Sequence, residues 1–377
     1  MTAVTVLIVG WGIYPAAMWL LGILRRRRLA APNLPKGSAS ILIATRDSVE
    51  LVSRRIANLE THRNELDRLE IIVAVDRRGP IGAERYRDFL GTRAIVVDGD
   101  APGGKAATLN AAVRAAAHDV LIFTDSAQEF LASALHDLMH AVRQPGIGAA
   151  TGRIALENNR RSLLLSVFWS YETWLRKVES TVDSIVGVTG AIYALRKDFW
   201  EPLPAGLIND DLYVPFVVAR KGGRVVTCDT AFAIDRRRFA AREEFQRKVR
   251  TLTGVLQLCA LCPSILNPRR NRLWLQFVFH KLVRFSTPYW LLFAALGAVL
   301  AYPIEAVWIA LGAGGASVLV AFLSPKSSLL SRALRQAGWS ALLLSASFVA
   351  TINALRRRWN VWDRSTAMSA DMSVPGR

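Results

Sequence analysis

The chain has 377 residues, of which 52% are hydrophobic, and its 48 Lys and Arg against 30 Asp and Glu give a formal net charge of +18. The length suits two domains, or one domain with a membrane part, and the positive charge indicates contact with anions. Because no recognisable nucleic-acid-binding module accompanies the charge, we disfavour a nucleic-acid partner and expect a lipid surface together with an anionic substrate.

An uninterrupted apolar run extends from Thr5 to Leu24 and is followed at once by Arg25 to Arg28. About 20 residues at a rise of about 1.5 Å each are long enough to cross a hydrocarbon core of about 30 Å. A cleaved signal peptide carries its positive charge before the apolar run, and here the order is reversed. We therefore predict a membrane anchor over residues 1–28, with the arginines in the cytoplasm and the N-terminus outside.

A soluble α/β domain is predicted over residues 38–266, after the linker "APNLPKG". Four short apolar runs in this region, "ASILIAT", "LEIIVAVD", "RAIVVDG" and "DVLIFTD", are separated by helical segments. Apolar strands that alternate with helices are typical of a largely parallel sheet that is covered on both faces. The sequence thus predicts such a sheet at the centre of this domain.

The stretch "GDAPGGKAATLN" follows the third of these runs and begins an alanine-rich helix. Gly99, Gly104 and Lys105 have the spacing of a P-loop, but that motif needs Ser or Thr after the lysine to ligate Mg²⁺, and Ala106 has no hydroxyl. The sequence therefore disfavours an ATPase. A loop that contacts a nucleotide in another way and a plain turn with a solvated lysine both remain open at this point.

Four aspartates stand out in the soluble part. Asp76 ends the run "IIVAV", Asp125 ends "VLIFT", and Asp210 and Asp211 lie in "LINDDLY". Ligands of parallel sheets bind beyond the carboxyl ends of the strands, where two of these residues and the glycine-rich loop fall. Carboxylates there suit a ribose or base contact, or a divalent cation that bridges diphosphate oxygens. Each aspartate alone is also compatible with a helix cap, but their coincidence favours a functional site.

Residues 272–358 are predicted to form a C-terminal membrane part, followed by a tail over residues 359–377. The basic, amphipathic stretch Arg272 to Arg284 is expected to lie on the cytoplasmic surface, with His280 at the lipid head groups. Three apolar segments are long enough, or nearly so, to cross the membrane: Phe285 to Leu300, Ile304 to Leu323 and Ala337 to Leu355. The number of spans and the side of the C-terminus stay open, because four spans would place it outside whereas the basic residues after the last segment favour the inside.

These motifs resemble those of the family 2 glycosyltransferases over roughly Ser38 to Gln257. "ILIATRDSVE" is similar to the family's first strand and P-x-x-N-E loop, "GGKAATLNAAV" to its G-G-K-x-x-x-L-N stretch, and "GVTGAIYALRKDFW" to its acceptor-side segment. The resemblance implies an α/β, Rossmann-like GT-A domain that binds a nucleotide-sugar, with transmembrane helices at both ends. It implies these substrate-binding residues: Thr45, Arg46, Asp47, Asp76, Gly104, Lys105, Asn110, Asp125, Ser126, Gly190, Arg247 and Arg250.

The same resemblance implies where the metal and the catalytic base lie. "VLIFTDSAQEF" corresponds to the strand that ends in the D-x-D metal motif, with Asp125 at the first Asp and Ala127 in place of the second. A Mn²⁺ or Mg²⁺ ion would have to rely on Asp125, Glu129, another carboxylate or water. "INDDLYVPFVVARKGGRVV" resembles the segment that supplies the base, which places Asp211 at the catalytic position and Asp210 at the acid before it.

The chemistry of this assignment also follows from general principles. An acceptor hydroxyl has a pKa far above neutrality, so a carboxylate base near it helps its attack on the anomeric carbon, typically by about 10²–10⁴-fold. The leaving diphosphate needs a metal ion or Arg and Lys side chains, and Arg247 and Arg250 are candidates. Processive relatives carry Q-x-x-R-W here. Aligned on Arg250, this chain lacks both the Gln and the Trp, which disfavours a processive synthase.

The sequence thus predicts a multi-pass enzyme of the cell (inner) membrane with a cytoplasmic catalytic domain. It would transfer a sugar, with inversion, from a nucleotide-diphospho-sugar to a lipid-linked or polysaccharide acceptor, with membrane lipids and polysaccharide-assembly proteins as candidate partners. The alternative is a non-catalytic nucleotide-sugar-binding or scaffold subunit, motivated by the missing second Asp. Retention of both Asp210 and Asp211 argues against that alternative, because a scaffold needs neither.

Overall fold

A computed structural model describes residues 1–25, 36–156, 163–237, 240–303, 305 and 329–359. Within these ranges the strands form one eight-stranded sheet in the order β3-β2-β1-β4-β7-β6-β8-β5. The strands are β1 (Ser38–Thr45), β2 (Arg68–Val75), β3 (Ile95–Asp98), β4 (Val120–Thr124), β5 (Gln128–Phe130), β6 (Ile147–Leu156), β7 (Tyr193–Arg196) and β8 (Arg224–Asp235).

The sheet has a parallel half and a mixed half. Strands β1 to β4 are parallel and correspond to the four apolar runs of the sequence. Beyond them β7 is antiparallel to both β4 and β6, β8 is parallel to β6, and the short β5 is antiparallel to β8. The α/β prediction is confirmed, and the parallel arrangement that the runs indicated holds for the first half of the sheet.

Helices cover both faces of the sheet. The helices of eight residues or more in the described part of the chain are α1 (Thr2–Arg25), α2 (Val49–Thr61), α3 (Ala83–Leu90), α4 (Lys105–Ala115), α5 (Ala134–Val142), α6 (Leu163–Val182), α7 (Asp210–Arg220), α8 (Ala241–Leu261), α9 (Trp274–Ala301) and α10 (Leu329–Leu355). Alternate residues of one strand pack against the helices on opposite faces of the sheet, because successive side chains of a strand point to opposite faces. Thus Ile41 and Ile43 pack with α2 and α5, whereas Leu42 packs with α4 and α7.

Two described helices, α1 and α9, are long and apolar enough to cross a membrane. The predicted anchor coincides with α1, whose Tyr14 and Met18 pack against Leu175 and Val178 of α6. The predicted segment from Phe285 belongs to α9, and the last predicted segment belongs to α10. The middle segment lies outside the described residues except for Glu305, as do Arg26 to Arg28 and residues 360–377.

The basic stretch before the apolar part of α9 packs against the soluble domain. Phe277 and His280 are buried there, at 2% and 3% exposure. His280 lies between two carboxylates of α6, with Nδ1 2.9 Å from Glu179 and Nε2 2.8 Å from Glu172. The expectation that His280 contacts lipid head groups is therefore wrong, because a buried imidazole needs hydrogen-bond partners inside the protein and finds them here.

Candidate active site

The candidate site lies at the carboxyl ends of the parallel strands. Asp76 follows β2, Asp125 follows β4, and the glycine-rich loop connects β3 to α4. The two aspartates of "NDDLY" occupy the first turn of α7, after Asn209. A parallel sheet brings the ends of its strands to one edge, so that residues far apart in sequence become neighbours there.

Asp76 ties the glycine-rich loop to the end of β1. Its Oδ1 accepts hydrogen bonds from the backbone N–H of Gly104 at 2.7 Å and of Arg78 at 3.0 Å, and its Oδ2 lies 2.6 Å from the Arg46 guanidinium. Burial alone would raise the pKa of the Asp76 carboxyl, but these hydrogen bonds and the cation lower it below its usual value. Asp76 is therefore ionised at neutral pH and holds the loop in place.

The backbone conformation of this loop favours glycine at two positions. Gly103 and Gly104 have φ of +86° and +93°, a region that side chains other than glycine seldom adopt. A Cβ atom at Gly103 would also lie 3.0 Å from Oδ1 of Asp76. The pair Gly-Gly before Lys105 thus lets the backbone turn close to Asp76 and point the lysine into the site.

Several predicted substrate-binding residues hold the framework instead of lining an open surface. Thr45 and Ser126 are both 4% exposed and are hydrogen-bonded through their hydroxyls at 3.0 Å. The backbone N–H of Asp47 also donates to Thr45 Oγ1, at 3.0 Å. Asn110 is turned away from the strand ends, because its amide exchanges two hydrogen bonds with the backbone of Leu203.

At the centre of the site Lys105 lies among carboxylates, and we call Lys105, Asp125, Asp210 and Asp211 the catalytic cluster. The ammonium is 3.4 Å from Oδ1 of Asp210 and 3.7 Å from Oδ1 of Asp125. A Cβ atom at Gly190 would lie 3.7 Å from the ammonium and 3.9 Å from Cβ of Asp211. The segment "GVTGAIYALRKDFW" therefore passes directly along the catalytic cluster at Gly190.

The charged groups of the catalytic cluster shift one another's pKa values. Burial and the neighbouring Asp210 raise the pKa of the Asp211 carboxyl to about 6, while Lys105 opposes this rise. Burial would lower the pKa of the Lys105 ammonium, but Asp210, Asp125 and Asp211 raise it. The lysine is therefore always charged near neutrality, and Asp211 changes protonation close to neutrality. A carboxylate with a pKa near the working pH suits general-base catalysis.

Helix α8 brings further cations to the cluster. Asn209, just before the two aspartates, donates a hydrogen bond to the Thr251 backbone at 2.9 Å, which fixes α8 against α7. Burial and Arg247 lower the pKa of Arg250, and Asp211, Asp125 and Asp210 raise it, so this guanidinium lies within electrostatic reach of all three carboxylates. The charge of Asp125 likewise raises the pKa of Arg247, so these two side chains also interact electrostatically. The two predicted arginines and the cluster thus share one region.

Three residues of this region were not predicted from the sequence. Asp235, at the end of β8, is 5% exposed and binds the Arg237 guanidinium at 2.7 Å. The charge of Asp125 also raises the pKa of Arg237. The Tyr193 hydroxyl is buried and has no hydrogen-bond partner among the described residues. The run "DRRRF" directly after an apolar strand was a signal for Arg237. Nothing in the sequence pattern distinguishes Tyr193 from an ordinary strand tyrosine.

A divalent cation fits this site only if the substrate shares in binding it. No group of three or more His, Cys, Asp or Glu side chains that could hold a metal occurs among the described residues. Asp125, whose side chain is 41% exposed, is placed to give one ligand, whereas Glu129 is paired with Arg236 at 3.1 Å. Mg²⁺-type sites often use one or two carboxylates together with substrate phosphates. The residues present therefore fit an ion held jointly by Asp125 and a diphosphate.

Comparisons with known proteins bear on the fold and the family. Residues 40–199 match the family model described as glycosyl transferase family 2. The structure is similar to that of a mannosyltransferase, PcManGT from Pyrobaculum calidifontis, solved with GDP-Man and Mn²⁺; the TM-score is 0.68 at 17% identity, over 96% of this chain and 98% of that chain. A mannosyl-3-phosphoglycerate synthase from Rubrobacter xylanophilus matches with a TM-score of 0.43 at 14% identity, over 59% of this chain and 74% of that chain. No curated protein matches the sequence significantly.

Proposed function

We propose that the chain is a membrane-bound inverting glycosyltransferase with the GT-A fold; the match of residues 40–199 to the family model described as glycosyl transferase family 2 and the similarity to the mannosyltransferase structure support this proposal. It moves a sugar from a nucleotide-diphospho-sugar to a lipid-linked or polysaccharide acceptor. The observation that carries the proposal is the catalytic cluster, in which Asp211 adjoins the acceptor-side Gly190 while Lys105 contacts Asp125 and Asp210.

In this mechanism Asp211 is the general base. An acceptor hydroxyl gives its proton to the Asp211 carboxylate while its oxygen attacks the anomeric carbon of the donor. The bond from that carbon to the diphosphate breaks, and the nucleoside diphosphate leaves with the electron pair. Because the pKa of Asp211 is about 6, the base is ionised above that pH and ready to accept the proton.

Lys105 and the arginines of α8 act on the leaving group. Negative charge develops on the diphosphate as the bond breaks, and preorganised cations stabilise it without further rearrangement. Lys105 lies beside Asp125, and Arg250 is within electrostatic reach of the same carboxylate. Asp76 and Arg46 hold the glycine-rich loop, which we assign to the nucleotide.

The proposal includes a Mn²⁺ or Mg²⁺ ion. The similar mannosyltransferase was solved with GDP-Man and Mn²⁺, and in this chain Asp125 and the donor diphosphate would hold such an ion. When bound, it would neutralise phosphate charge beside Lys105. Because Ala127 supplies no second carboxylate, we expect the ion to bind weakly without the donor.

The apolar helices support the proposed location. With α1 and α9 in the cell (inner) membrane, the catalytic domain faces the cytoplasm and meets nucleotide-sugars there, as the positive-inside rule predicts for Arg25. A multi-pass arrangement places the site at the membrane surface, where lipid-linked acceptors and polysaccharide-assembly proteins are found. Nucleic acid has no place in this proposal.

The test is donor turnover by the full-length protein in detergent. UDP-, GDP- and dTDP-sugars are offered with Mn²⁺, Mg²⁺ or EDTA, together with a membrane lipid extract as acceptor, and Asp211→Asn is the matched variant. We expect release of one nucleotide, with transfer of its sugar, and loss of transfer in the variant. Saturable donor binding by wild type, without turnover under any of these conditions, would favour a non-catalytic scaffold subunit. Undiminished transfer by a folded Asp211→Asn protein would refute the assignment of the base.

A further inference from the structure

A second group of cations lies near Asp211, where the soluble domain meets the apolar helices. It consists of Arg176 on α6, Lys248 on α8 and Lys281 on α9, and we call it the membrane-side cations. Lys248 occupies an unspecified position of the stretch that was compared with Q-x-x-R-W, Arg176 and Lys281 lie outside the motifs that indicated the family, and the mechanism above uses none of the three.

Arg176 and Lys281 meet at Gly187, next to the catalytic base. The Arg176 guanidinium donates to the backbone oxygen of Gly187 at 2.9 Å and to Thr189 Oγ1 at 3.3 Å. A Cβ atom at Gly187 would lie 3.7 Å from the Lys281 ammonium and 3.8 Å from the backbone oxygen of Asp211. The loop from Gly187 to Gly190 thus has Lys281 at one end and Lys105 at the other, with Asp211 beside it.

The two lysines of this group form no ion pair among the described residues. Neither Lys248 nor Lys281 has a carboxylate of the described residues within the 4.0 Å of an ion pair. The nearby acid Glu172 is already bound to His280 and Arg284. Burial lowers the pKa of Lys248; Glu172 opposes this shift, whereas the nearby cations Lys281 and Arg284 add to it.

Aromatic rings lie near Lys248 and near the neighbouring Arg284. Lys248 Nζ lies 6.0 Å from the ring centre of Phe168. The Arg284 guanidinium lies 4.8 Å and 5.0 Å from the rings of Trp11 and Tyr171, and its Nε and Nη2 atoms are buried without hydrogen-bond partners in the described part of the chain. Clustered cations in such a setting cost free energy unless an anion joins them. Helices α1 and α9 carry exposed apolar side chains, among them Leu24 and Leu292.

We propose that the membrane-side cations bind the phosphate of a lipid-linked acceptor, whose sugar hydroxyl then reaches Asp211. The inference rests on the proposed function and selects a phosphate-bearing lipid over a neutral polysaccharide as acceptor. In the transfer step the hydroxyl oxygen bonds to the anomeric carbon, its proton passes to Asp211 and the donor diphosphate departs. The acceptor phosphate is unchanged and serves only to position the hydroxyl.

The experiment compares three acceptors that carry the same sugar: a polyprenyl-diphosphate-linked sugar, an uncharged polyprenyl glycoside, and a water-soluble sugar phosphate. The variant is Lys281→Gln, and the matched control is Lys177→Gln, since Lys177 on α6 has a side chain that is 65% exposed and pairs with Asp229 at the surface. Hydrogen bonds to charged groups contribute about 1.5–3 kcal/mol. We therefore expect the KM for the phosphate lipid to rise roughly 10–100-fold in Lys281→Gln and to stay unchanged in Lys177→Gln.

Further expectations separate the sources of phosphate. The wild type should prefer the phosphate lipid to the neutral glycoside, and the Lys281→Gln variant should lose that preference. Efficient use of the water-soluble sugar phosphate would overturn the lipid part of the inference, and equal use of the neutral glycoside by wild type would overturn the phosphate part. Lys281→Arg keeps the positive charge and should restore a low KM; failure to do so in a folded protein would count against charge recognition.

Failure of this inference about the acceptor phosphate can be distinguished from failure of the proposed function. If the donor is turned over in an Asp211-dependent manner but no acceptor shows the phosphate preference, only the present inference fails. If no donor is turned over, binding of the phosphate lipid to wild-type and Lys281→Gln protein in detergent still decides the inference. Equal binding by the two proteins would then overturn it.

Discussion

The catalytic cluster differs from a second buried cluster, formed by Tyr14, Glu172, Glu179, His280 and Arg284, which we call the anchor cluster. In the anchor cluster each carboxylate has matched partners. Glu179 accepts from the Tyr14 hydroxyl at 2.5 Å and lies 2.9 Å from His280, and Glu172 binds His280 and Arg284. These contacts join α6 to the helices α1 and α9.

In the catalytic cluster the contacts are looser. Lys105 lies 3.4 Å and 3.7 Å from two carboxylates, and Asp211 forms no salt bridge with any described residue. The pKa values of one carboxyl group in each cluster also shift in opposite directions. Burial would raise the pKa of Glu172, but His280, Lys281 and Arg284 lower it well below its usual value, whereas burial and Asp210 raise that of Asp211 to about 6. The comparison teaches that matched buried charges hold elements together, whereas unmatched ones remain available to a substrate.

The largest expected effect is on activity and tests the catalytic cluster. Asp211→Asn removes the proton acceptor but keeps the shape of the side chain, so kcat for transfer should fall by about 10²–10⁴-fold. Thermal unfolding in detergent should show an unchanged or slightly raised Tm, since a buried carboxylate without a salt bridge is removed. A fall in Tm that accounts for the lost activity would show that Asp211 belongs with the structural charges.

The second effect concerns stability and tests the anchor cluster. Glu179 is 0% exposed, so Glu179→Ala leaves His280 and the Tyr14 hydroxyl without their shared partner. Breaking a buried pair in this way typically costs about 3–5 kcal/mol. We expect a markedly lower Tm, with donor turnover per folded molecule largely retained. Glu60→Ala, at the surface pair with Arg93, is the control and should cost about 1 kcal/mol or less.

A smaller effect is expected at the strand end that orders the glycine-rich loop. Asp76→Asn loses the ion pair with Arg46 and weakens the hydrogen bond from Gly104. Hydrogen bonds to charged groups contribute about 1.5–3 kcal/mol, so the donor KM should rise roughly 10–100-fold with a smaller change in kcat. Asp98→Asn, at the exposed end of β3, is the matched control and should leave donor affinity unchanged. Equal effects of both substitutions would contradict a role in donor binding.

The smallest effect is a shift of pH dependence. Activity that needs ionised Asp211 should fall as the pH decreases through about 6. Asp210 raises the pKa of Asp211 through its negative charge, so Asp210→Asn should move this acidic limb to lower pH, toward the ordinary Asp value of about 3.9. The kcat–pH profiles of the two proteins measure the shift. An acidic limb that stays in place would mean that another group controls it.

Much of the fold was predictable because it depends on local patterns. The four apolar runs became the parallel strands β1 to β4, and the charge-free run after Met1 became α1. Asp76 and Asp125 were placed at strand ends because a strand ends where its apolar pattern stops. The pairing of β5 to β8 was not predictable in this way, since pattern does not specify which distant strand a short segment joins.

What the sequence determined by itself is therefore the set of chemical groups and the strand or helix that carries each of them. Only the tertiary structure decided which groups meet. It brought Lys105 to Asp125 and Asp210, turned Asn110 toward Leu203, and placed Lys281 of the apolar helix α9 beside Gly187. The physical reason is that charges separated by tens or hundreds of residues interact only once the sheet and the helices on it have packed, and this packing depends on the whole chain.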